Sequence, residues 1–125
     1  MNISSQQIEI FIKQFYVKVN EDTLLSPIFN DVAKVDWLEH IPKLIKFWNS
    51  VLLKTGEYSG NAYQKHVVLA SHADIQEIHF KRWLNLFEEQ AKLHFDDDAA
   101  KNIIAKASNI ASSLKLGVLK EYNLN

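Results

Sequence analysis

The side chains that can do chemistry in this chain are its histidines and a few polar-tipped aromatics. It has no cysteine to serve as a thiolate ligand, a disulfide partner or a point of covalent cofactor attachment. His66 stands among Tyr63, Val67, Val68 and Leu69, in a stretch over 62–70 long enough for two helical turns. A loop over 57–61 precedes that stretch, and the break Ser71-His72-Ala73 follows it. A lone histidine in apolar company is commonly a packing residue bonded to a carbonyl. So short and bounded a segment is nevertheless a poor place for ordinary core packing, and a neutral imidazole in an apolar pocket is the usual axial ligand of a noncovalently held haem. On the residues alone both readings of His66 stand. Zinc is disfavoured: His66, His72 and His79 lie six and seven residues apart, which is neither a helical i,i+4 pair nor a finger spacing. His72 falls in a polar break and His79 in the first turns of a long helix, and neither needs a chemical role. There is no glycine-rich phosphate loop and no nucleophile elbow.

Tyr16, His40 and Trp83 are the other candidates. Each sits in an apolar stripe of a separate helix, and each offers a donor: a phenolic O–H, a ring N–H and an indole N–H. The plain reading of each is amphipathic packing with its tip at the surface or on a carbonyl, and for Trp83 alone that reading suffices. Converging, the three would form a polar cap over one side of a pocket.

The elements that must position them can be read from hydrophobic spacing. A first helix opens at Ser4 or Ser5 as a cap, carries Ile8, Phe11, Ile12, Phe15 and Val19 on one face, and ends near 20–22. Ser26-Pro27-Ile28-Phe29 reads as a tight turn that returns Ile28 and Phe29 to the core. The stretch 36–53 places Leu44, Phe47, Trp48, Val51 and Leu52 at helical spacing, with His40 at the rim of that wall. Pro42 predicts that the helix kinks or starts there, which would fix where His40 points. Gly56 suits a left-handed stop. Asp74 with Glu77 predicts a capping box for a long helix whose apolar residues Ile75, Ile78, Phe80, Trp83, Leu84, Leu86, Phe87 and Ala91 cover more than one face, as in a sandwiched helix. Asp96-Asp97-Asp98 marks another N-terminus, and a last helix over about 99–116 buries Ile103, Ile104, Ala107, Ile110, Ala111 and Leu114 before Gly117. No two-residue alternation lasts long enough for a strand, so the fold class is all-α.

Composition bounds the function. The 125 residues make one domain, 1–125, with 47% hydrophobic residues, three glycines and two prolines, as expected of an ordered core. A net charge of −1 offers no footprint for nucleic acid or an anionic membrane. The first residues lack a basic segment followed by an apolar run, and no apolar run approaches the ~20 residues that span a bilayer. The expected location is the cytoplasm.

Phe15-Tyr16, Pro27-Ile28-Phe29, Trp37 and His40, Phe47-Trp48, Leu52-Leu53, Thr55-Gly56, Tyr58, Gly60, His66 and His79-Phe80-Lys81-Arg82-Trp83-Leu84 with Leu86-Phe87 together resemble the group III truncated haemoglobins of bacteria. The likeness runs from about Phe11 to Leu114. It implies a globin-like, two-over-two helical sandwich that holds haem b. By the same resemblance His66 is the proximal iron ligand, and Tyr16, His40 and Trp83 hold the distal positions. Phe29, Leu44, Phe47 and Trp48 fall on haem-lining positions, and Tyr63, Leu69 and Phe80 are counted with them. Lys43, Lys46 or Arg82 would pair with the haem carboxylates.

The implied ligands are O₂, NO, CO or peroxide, with no nucleic-acid or membrane partner and a monomer or weak dimer as the working form. Hydrogen bonds to a charged group contribute roughly 1.5–3 kcal/mol each, so donors from Tyr16 and Trp83 predict tight O₂ binding with slow release. That suits NO, O₂ or peroxide chemistry served by an external reductase, or sensing, better than oxygen transport. His40 would be a third donor or a gate. The rival expectation is a haem-free globin-like module that binds a partner protein.

Overall fold

The computed structural model describes residues 3–32, 34–54 and 75–124, with side chains as far as 115. Among these are four α-helices: α1 Ser5–Glu21, α2 Trp37–Leu53, α3 Glu77–His94 and α4 Asp97–Leu124. No strand occurs among the described residues, in accord with the all-α expectation. The stretch around His66, including His72, the loop over 57–61, and Gly56 and Asp74, lies outside them.

Helix α1 forms where the sequence places its signals. Ser4 accepts from the Gln7 N–H while the Gln7 side chain accepts from the Ser4 N–H, a reciprocal capping box. Ile8, Phe11, Ile12, Phe15, Tyr16 and Val19 form one buried face, and Asp22 caps the far end. The next segment departs from a simple tight turn. A turn over 23–25 leads through helical Ser26 and Pro27 into a π-helical turn, Ile28–Val32. Its wider winding leaves Ile28 and Phe29 half-buried.

Helix α2 begins five residues before Pro42 and not at it: the Asp36 carboxylate accepts from the Leu38 N–H, and the proline is carried inside the helix. The left-handed stop falls on Lys54 (φ 57°), ahead of Gly56. Helix α3 is capped by Gln76 with His79 as the reciprocal partner; Asp74, expected to pair with Glu77, lies outside the described residues. Asp96 caps α4 through the Ala99 N–H at 2.8 Å. That helix then runs past Gly117 to Leu124, because a single glycine weakens a helix by about 1 kcal/mol without ending it.

Helix α1 packs on α2 and on α3, and α3 packs on α4, so α3 is covered on two sides as its two apolar faces require. Ile78 and Leu93 are exceptions on that helix and are exposed. The centre is aromatic. Phe87 is fully buried, with Phe11 and Phe15 edge-on to it at 5.0 and 5.2 Å and Trp83 stacked on it at 5.2 Å. Trp48 of α2 completes the group at 5.1 Å. Asn49, also of α2, is buried; its amide donates to Ser5 Oγ at 3.2 Å, and its carbonyl oxygen has no partner among the described residues.

Candidate functional site

The aromatic core opens on one side into a cavity of about 230 Å³. Tyr16 and Leu25 form part of its wall, with Ile28 and Phe29 from the π-helical turn. Helix α2 contributes His40, Lys43, Leu44, Phe47 and Trp48. Ile75, His79, Phe80 and Trp83 come from α3 and the residues just before it, and Ile110, Ala111 and Leu114 from α4. Tyr16, His40 and Trp83, expected to converge from separate helices, do share this one cavity. So do Phe29, Leu44, Phe47, Trp48 and Phe80. His66, Tyr63 and Leu69 lie outside the described residues.

Tyr16 is buried, and burial pushes its phenol up to about 12, against a hydrogen bond from Trp83 that works the other way. The phenol is therefore a neutral O–H at any physiological pH. With the Trp83 indole donating to the phenol oxygen, the Tyr16 proton remains to be donated elsewhere. The sequence reading had each residue donate separately; the hydrogen bond from Trp83 couples the indole to the phenol.

Trp83 is held edge-on to Phe15 at 5.4 Å as well as stacked on Phe87, so its orientation is set by the core. His40 lies near the start of α2, half-buried, with its backbone N–H donating to the Asp36 carbonyl at 2.8 Å. Trp37 packs against two of the three distal candidates, 5.7 Å from the His40 ring and 5.4 Å from Tyr16. A run of side-chain bonds fixes it there. Trp37 Nε1 donates to Asn30 Oδ1 at 2.8 Å, Asn30 Nδ2 to Asn20 Oδ1 at 2.9 Å, and Asn20 Nδ2 to the Tyr16 carbonyl at 2.8 Å.

His79 was assigned no chemical role, yet it lines the cavity. Its Nδ1 accepts from the Gln76 N–H at 2.9 Å, which puts the ring proton on Nε2 and makes the residue a donor, not a metal ligand, in this arrangement. Of the three cations expected near haem carboxylates, only Lys43 reaches the cavity wall, and it is paired with Glu39 at 2.9 Å. Lys46 is exposed. Arg82 is engaged elsewhere: its Nε donates to Asp22 Oδ1 at 2.6 Å. Burial alone would raise the Asp22 carboxyl, but the Arg82 bond, the Leu25 and Leu24 N–H groups and the guanidinium charge outweigh it and hold the group below the ordinary carboxylate range.

Leu25, Ile28, Ile75, Ile110, Ala111 and Leu114 complete the wall; Ile75, Ile110, Ala111 and Leu114 were read as members of apolar stripes, Ile28 as a core residue of the turn after α1, and Leu25 was not singled out. No carboxylate lines the cavity among the described residues. Aromatic and aliphatic walls with neutral donors at one end, and a lysine and a histidine also on the wall, fit a flat apolar macrocycle bearing acidic side groups.

Helices packed as α2 on α1, α1 on α3 and α3 on α4, with a walled cavity among them, make a globin-like fold. No protein-family model matches the chain. It is 35% identical over 113 residues to the group 3 truncated haemoglobin ctb of Campylobacter jejuni, an alignment covering 88% of this chain and 87% of that protein. The crystal structure of a group III truncated haemoglobin from Campylobacter jejuni superposes with a TM-score of 0.81 at 32% identity, covering 91% of this chain and 90% of that one. The chain belongs to the group III truncated haemoglobins.

Among the described residues no helix is long and apolar enough to cross a membrane.

Proposed function

We propose that this chain binds haem in the cavity and presents a hydrogen-bond-donating distal pocket to O₂ and other small diatomic ligands such as NO and CO. His66 is the axial ligand in this reading. Phe29, Leu44, Phe47, Trp48 and Phe80 are the apolar contacts on the described side, and Tyr63 and Leu69 belong with His66. Held through His66, the haem would supply an iron able to bind such a ligand. The observation that carries the reading is the pairing of the buried Tyr16 with the half-buried Trp83 on the cavity wall, with the phenol pushed up to about 12. A tyrosine so placed keeps its proton and donates it, and the Trp83 indole strengthens it as a donor.

A ligand that gains negative charge on binding is favoured by such a donor, since hydrogen bonds involving charge contribute roughly 1.5–3 kcal/mol. His40, at the rim beside Trp37, is the third donor or the gate. Strong retention favours reaction with NO, O₂ or peroxide, or sensing, over delivery, and any turnover would draw electrons from an external reductase.

The test is direct. Purified protein given haemin should show a Soret band that His66→Ala abolishes, and Tyr16→Phe should accelerate O₂ dissociation by roughly tenfold or more, the factor that ~1.4 kcal/mol represents. A chain that takes up no haemin refutes the cofactor, and an unchanged dissociation rate refutes Tyr16 as the donor.

A further inference from the structure

Asp22 is the buried carboxylate of the described residues, and its oxygens accept three bonds. Oδ2 accepts from the Leu24 N–H at 3.2 Å and from the Leu25 N–H at 3.0 Å; Oδ1 accepts from Arg82 Nε at 2.6 Å. Each bond leads to the cavity wall. Asp22 is the cap residue of α1, six positions after Tyr16; Leu25 is itself a wall residue, nearly inaccessible; Arg82 immediately precedes Trp83 on α3. One side chain thus ties together the three segments that carry Tyr16, Leu25 and Trp83.

We infer that Asp22 and Arg82 are positioning residues for the donor pair, fixing the separation of α1 and α3 at which the Trp83 indole meets the Tyr16 hydroxyl. Neither residue lines the cavity, so each acts through the elements it joins. A charge-assisted bond this short, on a carboxylate whose remaining capacity is used by backbone donors, holds geometry better than an exposed ion pair between two flexible side chains. Arg82 contributes its guanidinium from α3, and a substitution that leaves Asp22 without it strands a buried charge.

The inference rests on the donor-pocket reading, and the experiment keeps the two apart. Asp22→Asn and Arg82→Ala are compared with the unaltered chain by titrating Tyr16. Near-ultraviolet phenolate absorbance is followed in haem-free protein, and the titration of Tyr16→Phe is subtracted to remove the other three tyrosines. Pure electrostatics moves the two variants in opposite directions. Asp22→Asn leaves a cation and lowers the Tyr16 titration, whereas Arg82→Ala leaves an anion and raises it.

Loss of positioning removes the indole hydrogen bond, which by itself would raise the phenol, but it also lets water reach the phenol and relieves burial, the larger of the two causes, so that both variants move downward from about 12 toward the ordinary tyrosine value of 10.0. The double variant should be no worse than the single ones, because the pair acts as a unit. In haem-loaded protein both variants should release O₂ faster by about the factor seen for Tyr16→Phe, with the Soret band retained. Opposite shifts, or an unmoved Tyr16 titration beside a merely lowered Tm, overturn the inference. Failure of all variants and of the unaltered chain to take up haemin overturns the cofactor reading instead, and the haem-free titration still decides the role of Asp22 and Arg82.

Discussion

Raising the pH should destabilise this protein through one residue, and the size of the effect follows from its surroundings. The Tyr16 phenol is pushed from 10.0 to about 12 by burial, so the folded chain holds its proton over a range in which the unfolded chain has lost it. A folded-state value above the unfolded one gives stability that is complete below about pH 10 and falls as pH rises through about 12. The shift is about two units, and at about 1.36 kcal/mol per unit the loss approaches ~2.7 kcal/mol at the top of the window. Lysines and the other tyrosines titrate in the same range, so the informative quantity is the difference between the native chain and Tyr16→Phe. Their unfolding free energies, from urea titrations at steps between about pH 8 and about pH 12, should differ by a constant up to about pH 9.5. Beyond that the native chain should lose ground to the variant by up to ~1.4 kcal/mol per pH unit. A difference that stays flat to the alkaline limit would show that Tyr16 is solvated, and the donor argument would go with it.

Two further outcomes follow from the packing. Phe87→Ala removes the ring on which Phe11, Phe15, Trp48 and Trp83 converge, and should cost about 3–5 kcal/mol in urea unfolding; a cost under ~1.5 kcal/mol would mean that the core collapses readily to fill the space. Ser4→Ala removes the α1 cap bond from the Gln7 N–H, with an expected loss of about 1 kcal/mol read as a lowered urea midpoint at unchanged slope, and an unchanged midpoint would assign that end of α1 no stabilising part.

Much of the fold was legible because local and tertiary signals agreed. In α1 the Ser4–Gln7 capping box and the stripe from Ile8 to Val19 say the same thing, and the helix starts and stops where they indicate. Elsewhere one weak signal had to stand for geometry. Gly117 permits a helix end but does not impose one, and α4 continues. The left-handed residue after α2 is Lys54, a type with no preference for that conformation, so composition gave no hint of it. Pro42 was read as a kink or a start; the helix does not start there, since it tolerates proline in its early turns when the residues before it are capped by Asp36.

The site was legible in a different way. Tyr16, His40 and Trp83 carried donors in apolar stripes, but their convergence depended on the family resemblance and not on their spacing. Ile110, Ala111 and Leu114 could not be told from core residues, because a stripe that faces a cavity has the same period as one that faces another helix. The Asp22–Arg82 pair spans 60 residues, and nothing local announces it.

Pro42 bears finally on how His40 moves. Lacking an N–H, it leaves the Leu38 carbonyl without its helical partner, so the first turn of α2 is attached to the rest by one fewer rung. That turn carries His40, and its ties include the Asp36 cap, the Trp37–Asn30 bond, the Glu39–Lys43 pair and the packing of Trp37. In the language of hydrogen exchange it should behave as a separate opening unit: its amides should exchange well ahead of those in the second half of the same helix, by a path far below global unfolding. In the proposed reading, the rate at which a ligand passes His40 would then belong to a local opening equilibrium of a few residues, while the grip of Tyr16 and Trp83 would belong to the core.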